Sequence, residues 1–304
     1  MRERLKSGLH GLFLVGQRAG WDILPRHFYS TIPDMRVLQR SESWKKPFSL
    51  IGIAGTDIES QASFVEECCL PIQERLRRGG IHEHACRENG ESGYGYVEAE
   101  FLFSFITAKR PRRVVQVGCG VSTAVILLAA KEAAYNPDVT CIDPFPTAYL
   151  RRLAGNKLIH LVPEGAQQVN LDLLTDLDAG DLLFIDSTHA TRPGSEVNRI
   201  ILEALPRLNS GVFVHFHDIH FPYDYPPNLM TTLFFFGEST LLQAFLTNNP
   251  RYRIAASLSM LHHACADRIK AAIPNYRPAP MDHGLWATFE GDGHFPSSTY
   301  LCVL

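Results

Sequence analysis

The chain has no apolar run approaching the roughly 18 residues that a membrane-spanning helix needs. It has no basic excess either: Lys plus Arg is 29 and Asp plus Glu is 32, for a formal net charge of -3. The first absence argues against a helical membrane protein and the second against a general nucleic-acid binder. No CxxC pair occurs among Cys68, Cys69, Cys86, Cys119, Cys141, Cys265 and Cys302. An odd set without metal or redox spacing predicts no disulfide framework and a reducing compartment, hence a cytoplasmic protein. No internal repeat or low-complexity block stands out. The N-terminal MRERLKSGLHGLFLVG is basic and then briefly apolar. Arg18 closes that run and no small-residue cleavage site follows, so a signal peptide is not expected. Ser187 does not sit on a GxSxG elbow, which excludes that route to a nucleophilic serine.

What is present is an ordinary globular composition, 45% hydrophobic and 20% charged over 304 residues. That length suits one large domain or two small ones. Residues 1–95 read as irregular, apart from an amphipathic helix over Asp57–Arg78 broken near Pro71. They form an N-terminal extension expected to cover the pocket of a domain over 96–304. From Glu98 the pattern changes. An apolar helix over 98–108 precedes five strands, expected at 113–117, 139–142, 158–162, 182–185 and 212–216. Helices at 122–134, 147–154, 168–177 and 193–208 separate them. Alternating strands and helices imply βαβ units and a parallel sheet. A helix near 238–247 and strands near 252–258 and 285–289 complete the reading, the last two as an antiparallel pair at the edge. The expected fold is α/β, a doubly wound, mostly parallel Rossmann-like sheet with an antiparallel edge strand.

In such sheets ligands bind beyond the carboxyl ends of the strands. Those ends are Gly118-Cys119-Gly120, Asp143-Pro144, Asp186 and His217-Asp218. Glycines let the main chain approach a ligand, and the following helix start at Ser122 and Thr123 offers free N–H groups. The third glycine of the dinucleotide fingerprint would fall near Thr123 and is absent, which disfavours a pyrophosphate site. Asp143 stands where an acid commonly holds a ribose diol. It is equally placed to cap the turn before Pro144. Cys119 reads as a small neutral side chain rather than a nucleophile.

Asp186 precedes Ser187-Thr188-His189, and the next strand end carries His215-Phe216-His217-Asp218-Ile219-His220. Asp186 and Asp218 supply hard oxygen and His217 a borderline nitrogen. That mixture suits Fe(II), Mn(II), Co(II) or Zn(II) better than Mg(II). A purely structural hydrogen-bond cluster, or proton transfer without metal, are the alternatives. Strand alternation turns His215 and His217 to one face, with His217 nearer the mouth.

The motifs VGCG at 117–120, CIDPFP at 141–146, FIDSTH at 184–189 and VHFHDIHFPYDYP at 214–226 resemble class I S-adenosylmethionine (SAM) dependent methyltransferases. LPRHFY at 24–29 also resembles the leader of one bacterial branch. The resemblance spans about 98–220. It implies that Gly118, Cys119, Gly120, Ser122 and Thr123 hold the methionine part of SAM, that Asp143 and Pro144 meet the ribose, and that the adenine lies near Glu164–Gln167. The family often has an acid where this chain has Gln116. The cluster is similar to that of metal-dependent O-methyltransferases acting on sugars and natural products. That similarity makes Asp186, His217 and Asp218 the ligands of a divalent metal (Fe, Mn or Mg) and His189 the catalytic base. His217 stands where that branch tends to carry an oxygen ligand.

The expected function is therefore metal-dependent methyl transfer from SAM to an oxygen of a small molecule, with no nucleic-acid or membrane partner. The alternative is an iron redox enzyme on the same fold, using His189, His215, His217 and an Asp. A third reading is a degenerate binding subunit, motivated by Gln116 alone. His82 and His84 are expected in a solvated loop, and His262-His263 as a surface pair. Glu98 and Glu100 are expected just before the first helix, one as a candidate to face the pocket and the other as a helix cap. Tyr223, Tyr225 and Phe234-Phe235-Phe236 are candidates for an acceptor pocket or a lid, with core packing or a homo-oligomer contact equally open for the three phenylalanines.

Overall fold

The computed structural model describes residues 2–226, 229–232, 235–278 and 295–304. These fall into two compact units, Met1–Glu42 and Ser43–Leu304. The first contains a helix over Arg2–Arg18 and a short one over Met35–Arg40, whose N-terminus is capped by the Asp34 carboxylate accepting the Arg36 N–H. The second contains a sheet of seven strands, in the order β3-β2-β1-β4-β5-β7-β6. The strands are β1 (Arg113–Val117), β2 (Asp138–Ile142), β3 (His160–Val162), β4 (Leu182–Ile185), β5 (Phe213–Phe216), β6 (Tyr252–Ser257) and β7 (Thr299–Val303). β1 to β5 are parallel. β7 runs antiparallel to both β5 and β6. The expected mixed sheet with an antiparallel edge is what forms. Strand order reverses between β1 and β4, so their carboxyl ends open the crevice where ligands bind in such sheets.

Side-chain alternation builds a core on each face. Val114, Cys141, Leu182 and Phe184 pack against the helices Ile58–Cys69, Tyr96–Lys109 and Val121–Glu132. Val115, Val117, Ile142, Leu183 and Ile185 join the other face, with Val197, Ile200 and Leu242. β4 is buried along its whole length, as a continuous apolar run between two helical layers requires.

Several expectations are corrected. His82 and His84 lie on a helix over Ile81–Asn89 that packs against Val121–Glu132, and His82 Nε2 is 2.9 Å from the Tyr94 carbonyl oxygen. The polarity of this helix hid it, because only Ile81 and Ala85 are buried. His262 is buried within the helix Leu258–Ala272 and bonds Tyr276, so 262–263 is no surface pair. The helix expected over 168–177 shrinks to Asp172–Thr175. The one expected from Pro193 starts at Glu196, capped by Ser195, and continues as a wide turn over Ile200–Ala204. The antiparallel partner of β6 is Thr299–Val303, while 285–289 lies outside the described residues.

Glu98 and Glu100 sit inside the helix Tyr96–Lys109 and are both buried. Burial raises the Glu100 carboxyl from 4.5 to about 7, opposed by hydrogen bonds from Asn275 and Tyr96. The folded protein thus keeps a proton that the unfolded chain releases. The stability from this group is full below about pH 4.5 and is lost as pH rises through 7. Urea unfolding at pH 5 and pH 8 should show a decline about 2.5 kcal/mol steeper in the wild type than in Glu100→Gln. Equal declines would refute this.

Candidate functional site

The turn after β1 is locked from three sides. Gly118 has φ +79°, and a Cβ there would overlap the Asp186 carbonyl oxygen at the end of β4. Only glycine therefore lets β1 and β4 end side by side with the turn between them. The Gly118 N–H donates to the Ile142 carbonyl (3.1 Å), and the Asp186 N–H donates to that of Val117 (2.8 Å). Asp143 accepts the Cys119 N–H at 3.2 Å through Oδ2 and the Phe145 N–H at 2.8 Å through Oδ1. The acid after β2 and the glycine turn after β1 are thus one hydrogen-bonded unit. Asp143 therefore caps the turn, which is the second of its two readings. Pro144 beside it is exposed.

Ser122 and Thr123 are buried at the start of Val121–Glu132. The Thr123 hydroxyl accepts the Gly120 N–H, and the Ser122 hydroxyl accepts from Gln116 Nε2 at 3.2 Å. What this helix start offers a ligand is its main-chain N–H groups. Gln116 is fully buried and ties β1 to that helix; it acts in the core. Burial also pushes the Cys119 thiol well above its ordinary range, which fits an inert side chain. Two neighbours carried no sequence signal. Asn89 packs its side chain over Gly120 and accepts a hydrogen bond from Thr147. Phe145 is 87% exposed directly after Asp143-Pro144.

The second group lies at the ends of β4 and β5. His217 Nδ1 is 3.4 Å from Oδ1 of both Asp186 and Asp218. His189 Nε2 is 3.6 Å from Asp186 Oδ1 and 3.4 Å from Asp218 Oδ2. One donor atom from each of Asp186, His189 and His217 lies within 4.8 Å of the other two. Sequence reasoning placed these four residues together, and the structure does so. Both ring nitrogens of His217 are buried and make no hydrogen bond among the described residues. The 3.4 Å approaches are therefore close but misaligned for bonding. Donors around one ion at bond lengths of about 2.1 Å stand about 3.0–3.5 Å apart, so this spacing and the orphaned imidazole fit a divalent cation.

His189 and Asp218 both adopt left-handed backbone conformations, φ +57° and +53°. Such positions cost of order 1–3 kcal/mol for residues of this kind and concentrate at functional sites. Burial opposes ionisation of Asp186 and Asp218, but the His217 and His189 imidazoles more than offset it and hold both carboxyls low. Burial likewise opposes charging of His189, and Asp186 and Glu238 outweigh it, raising the imidazole to about 10; a divalent cation held by Asp186 and Asp218 would repel that proton and leave the imidazole neutral, as a base must be.

His215 stands apart from this cluster. It is fully buried, stacked on Phe184 at 4.1 Å, and its Nε2 contacts Ser298 Oγ at 2.9 Å and Tyr94 Oη at 3.2 Å. Burial keeps it neutral. The shared face expected for His215 and His217 is present, with ring centres 6.5 Å apart. Only the residue past the strand end reaches the acids.

Of the residues that support the cluster, sequence reasoning singled out only Glu98, as one of two acids that could face the pocket. Glu98 Oε1 accepts the Ser297 N–H at 2.8 Å, and the Ser297 hydroxyl donates to Asp218 Oδ1 at 3.0 Å. The Tyr94 ring lies 4.9 Å from that of His217. Glu196 Oε1 accepts from the Thr188 N–H and hydroxyl at 3.0 and 2.6 Å, which holds the loop before His189. Glu238 Oε2 is 2.6 Å from His189 Nδ1. These partners come from distant parts of the chain and follow no spacing rule.

Residues 115–219 match the family model of a methyltransferase domain. The span runs from β1 to just past Asp218, and so contains the glycine turn, Asp143 and all four cluster residues. The chain is also similar to an uncharacterised protein of Archaeoglobus fulgidus, 26% identical over 180 residues, covering 54% of this chain and 77% of that one. Among solved structures it is similar to a methyltransferase from Geobacter sulfurreducens (18% identity, 48% of this chain, 69% of that chain, TM-score 0.31). It is also similar to an S-adenosylhomocysteine (SAH) bound methyltransferase of Podospora anserina (14% identity, 93% and 98% coverage, TM-score 0.41). Among the described residues, no helix is long and apolar enough to cross a membrane.

Proposed function

We propose that this methyltransferase domain moves a methyl group from SAM to an oxygen of a small molecule, assisted by a divalent metal ion. The observation that carries the reading is the meeting of two groups at one crevice: Gly118 touches the Asp186 main chain, so a cofactor on the glycine turn lies beside the His/Asp cluster. Gly118, Cys119 and Gly120 with the helix start at Ser122 and Thr123 take the methionine end of SAM. Asp143 takes the ribose, with Pro144 and Phe145 beside it.

Asp186, His217 and Asp218 would hold the metal, whose chemistry is to lower the pKa of an acceptor hydroxyl. Ser297, itself held by Glu98, aims Asp218 at the site. His189 Nε2 faces the same centre and receives the acceptor's proton. The acceptor oxygen attacks the methyl carbon in line as its bond to the sulfonium sulfur breaks and neutral SAH leaves, and the protein's main contribution is orientation.

Calorimetric titration of SAM into wild type and Asp143→Ala tests the cofactor site. Asp143→Ala removes the ribose partner and also frees the Cys119 and Phe145 N–H groups. Its SAM affinity should fall about 10- to 100-fold, or about 1.4–2.8 kcal/mol. Failure of the wild type to bind SAM sinks the proposal.

One observation favours a second reading. Two imidazoles with two carboxylates is a donor set that also suits iron. In that reading His189 is a ligand, His215 has no part, and the cluster supports redox chemistry. Oxygen uptake that depends on Fe(II) and produces no SAH would select it.

A further inference from the structure

His189 is held between two sets of acids. Its Nε2 faces Asp186 and Asp218 at 3.6 and 3.4 Å, and its Nδ1 faces Glu238 at 2.6 Å. Glu238 opens the helix Glu238–Leu246 and is only 1% exposed. A carboxylate is favourable at a helix N-terminus, but a solvated one would serve that purpose without the cost of burial.

The surrounding segment is shaped to bring Glu238 there. The Phe236 ring centre lies 5.3 Å from that of His189. A Cβ on Gly237 would overlap the Thr191 hydroxyl, so glycine is what lets this segment lie against the loop after His189. Glu238 Oε1 is buried without a hydrogen-bond partner; the carboxylate's only hydrogen bond among the described residues is to His189.

We propose that Glu238 is the positioning residue of His189: it fixes the imidazole proton on Nδ1 and turns Nε2 toward the reacting centre. This rests on the reading above that His189 acts at that centre. The physical reason is a competition. Beside a bound cation the imidazole would be neutral and carry one N–H, which Asp186 and Asp218 on one side and Glu238 on the other compete to accept. If the proton goes to Nε2, that nitrogen has no lone pair to offer. A charge-assisted bond of 2.6 Å against approaches of 3.4–3.6 Å decides the contest for Glu238, since such bonds are short and strong. Metal-binding and catalytic histidines are commonly oriented in this way through their second nitrogen.

The test is nuclear magnetic resonance of the full chain, labelled with nitrogen-15 at histidine and saturated with diamagnetic Zn(II) and SAH. The wild type should show a strongly deshielded proton coupled to His189 Nδ1. In Glu238→Gln, which keeps an accepting oxygen without the charge, that proton should persist but move upfield. In Glu238→Leu it should disappear, with the proton now on Nε2. A circular-dichroism melt establishes that each variant is folded, and Glu238→Gln carries the test if Glu238→Leu is not. An Nδ1 proton with the same shift in a folded Glu238 variant as in wild type overturns the proposal. So does a wild type without one. Methyl transfer provides the second readout, as SAH formed with an acceptor mixture. Turnover should fall about 10-fold in Glu238→Gln and about 100-fold in Glu238→Leu, with SAM affinity unchanged; equal losses in both would also overturn it. SAM binding is measured on the wild type by itself, so failure of the cofactor reading shows separately from failure of the Glu238 assignment.

Discussion

Asp186→Asn should lose its metal while still binding SAM. The substitution keeps the shape of the side chain and removes the charge that His189 and His217 share. Metal affinity should drop at least about 100-fold, or about 2.8 kcal/mol, because a neutral amide oxygen replaces the central carboxylate. SAM affinity should stay within about threefold, since Asp186 meets the glycine turn through its main chain and Asn preserves that contact. Elemental analysis of purified wild type and variant, with SAM calorimetry on the same samples, measures both. Equal metal content in the two proteins would remove Asp186 from the ligand set. Parallel loss of SAM binding would mean that the variant disturbs the turn itself.

The second large effect is expected from His189→Ala. Removing a general base typically costs about 10²–10⁴-fold in rate. Turnover, measured as SAH formed with a mixture of hydroxylated acceptors, should fall in that range while SAM affinity stays unchanged. His189 is almost fully buried and hydrogen-bonded to Glu238, so Ala also leaves Glu238 without its partner. The double variant His189→Ala/Glu238→Gln removes that stray charge and should melt higher than His189→Ala alone. If turnover survives in both, the proton goes elsewhere. If metal content falls together with turnover, His189 is a ligand, and the iron reading gains ground.

The parallel part of the sheet was legible because each strand announces itself. Leu182–Ile185 is an unbroken apolar run and Val114–Val117 is nearly so; both end in a residue type that strand interiors avoid, Asp186 or Gly118. Placing Asp143, Asp186 and His217-Asp218 at strand ends was enough to bring them together, since parallel strands aim their carboxyl ends the same way. The helix Ile81–Asn89 was not legible, because seven of its nine residues lie outside the buried set and its anchor is the neighbouring helix. His262 was misread for the complementary reason. A polar pair in sequence looks solvated, yet the helix Leu258–Ala272 turns His262 inward against Tyr276.

The sequence by itself determined the α/β class, the five parallel strands and the residues at their carboxyl ends. These follow from local periodicity and from turn chemistry within a few residues. Only the tertiary structure decided what holds each histidine in its place. His215 and His217 differ by two positions, but Ser298 and Tyr94 claim one while the other reaches Asp186 and Asp218. Glu238 meets His189 across 49 residues, and Glu98 reaches Ser297 across 199. Such pairings are set by how helices and loops pack over the sheet, and no spacing along the chain encodes them.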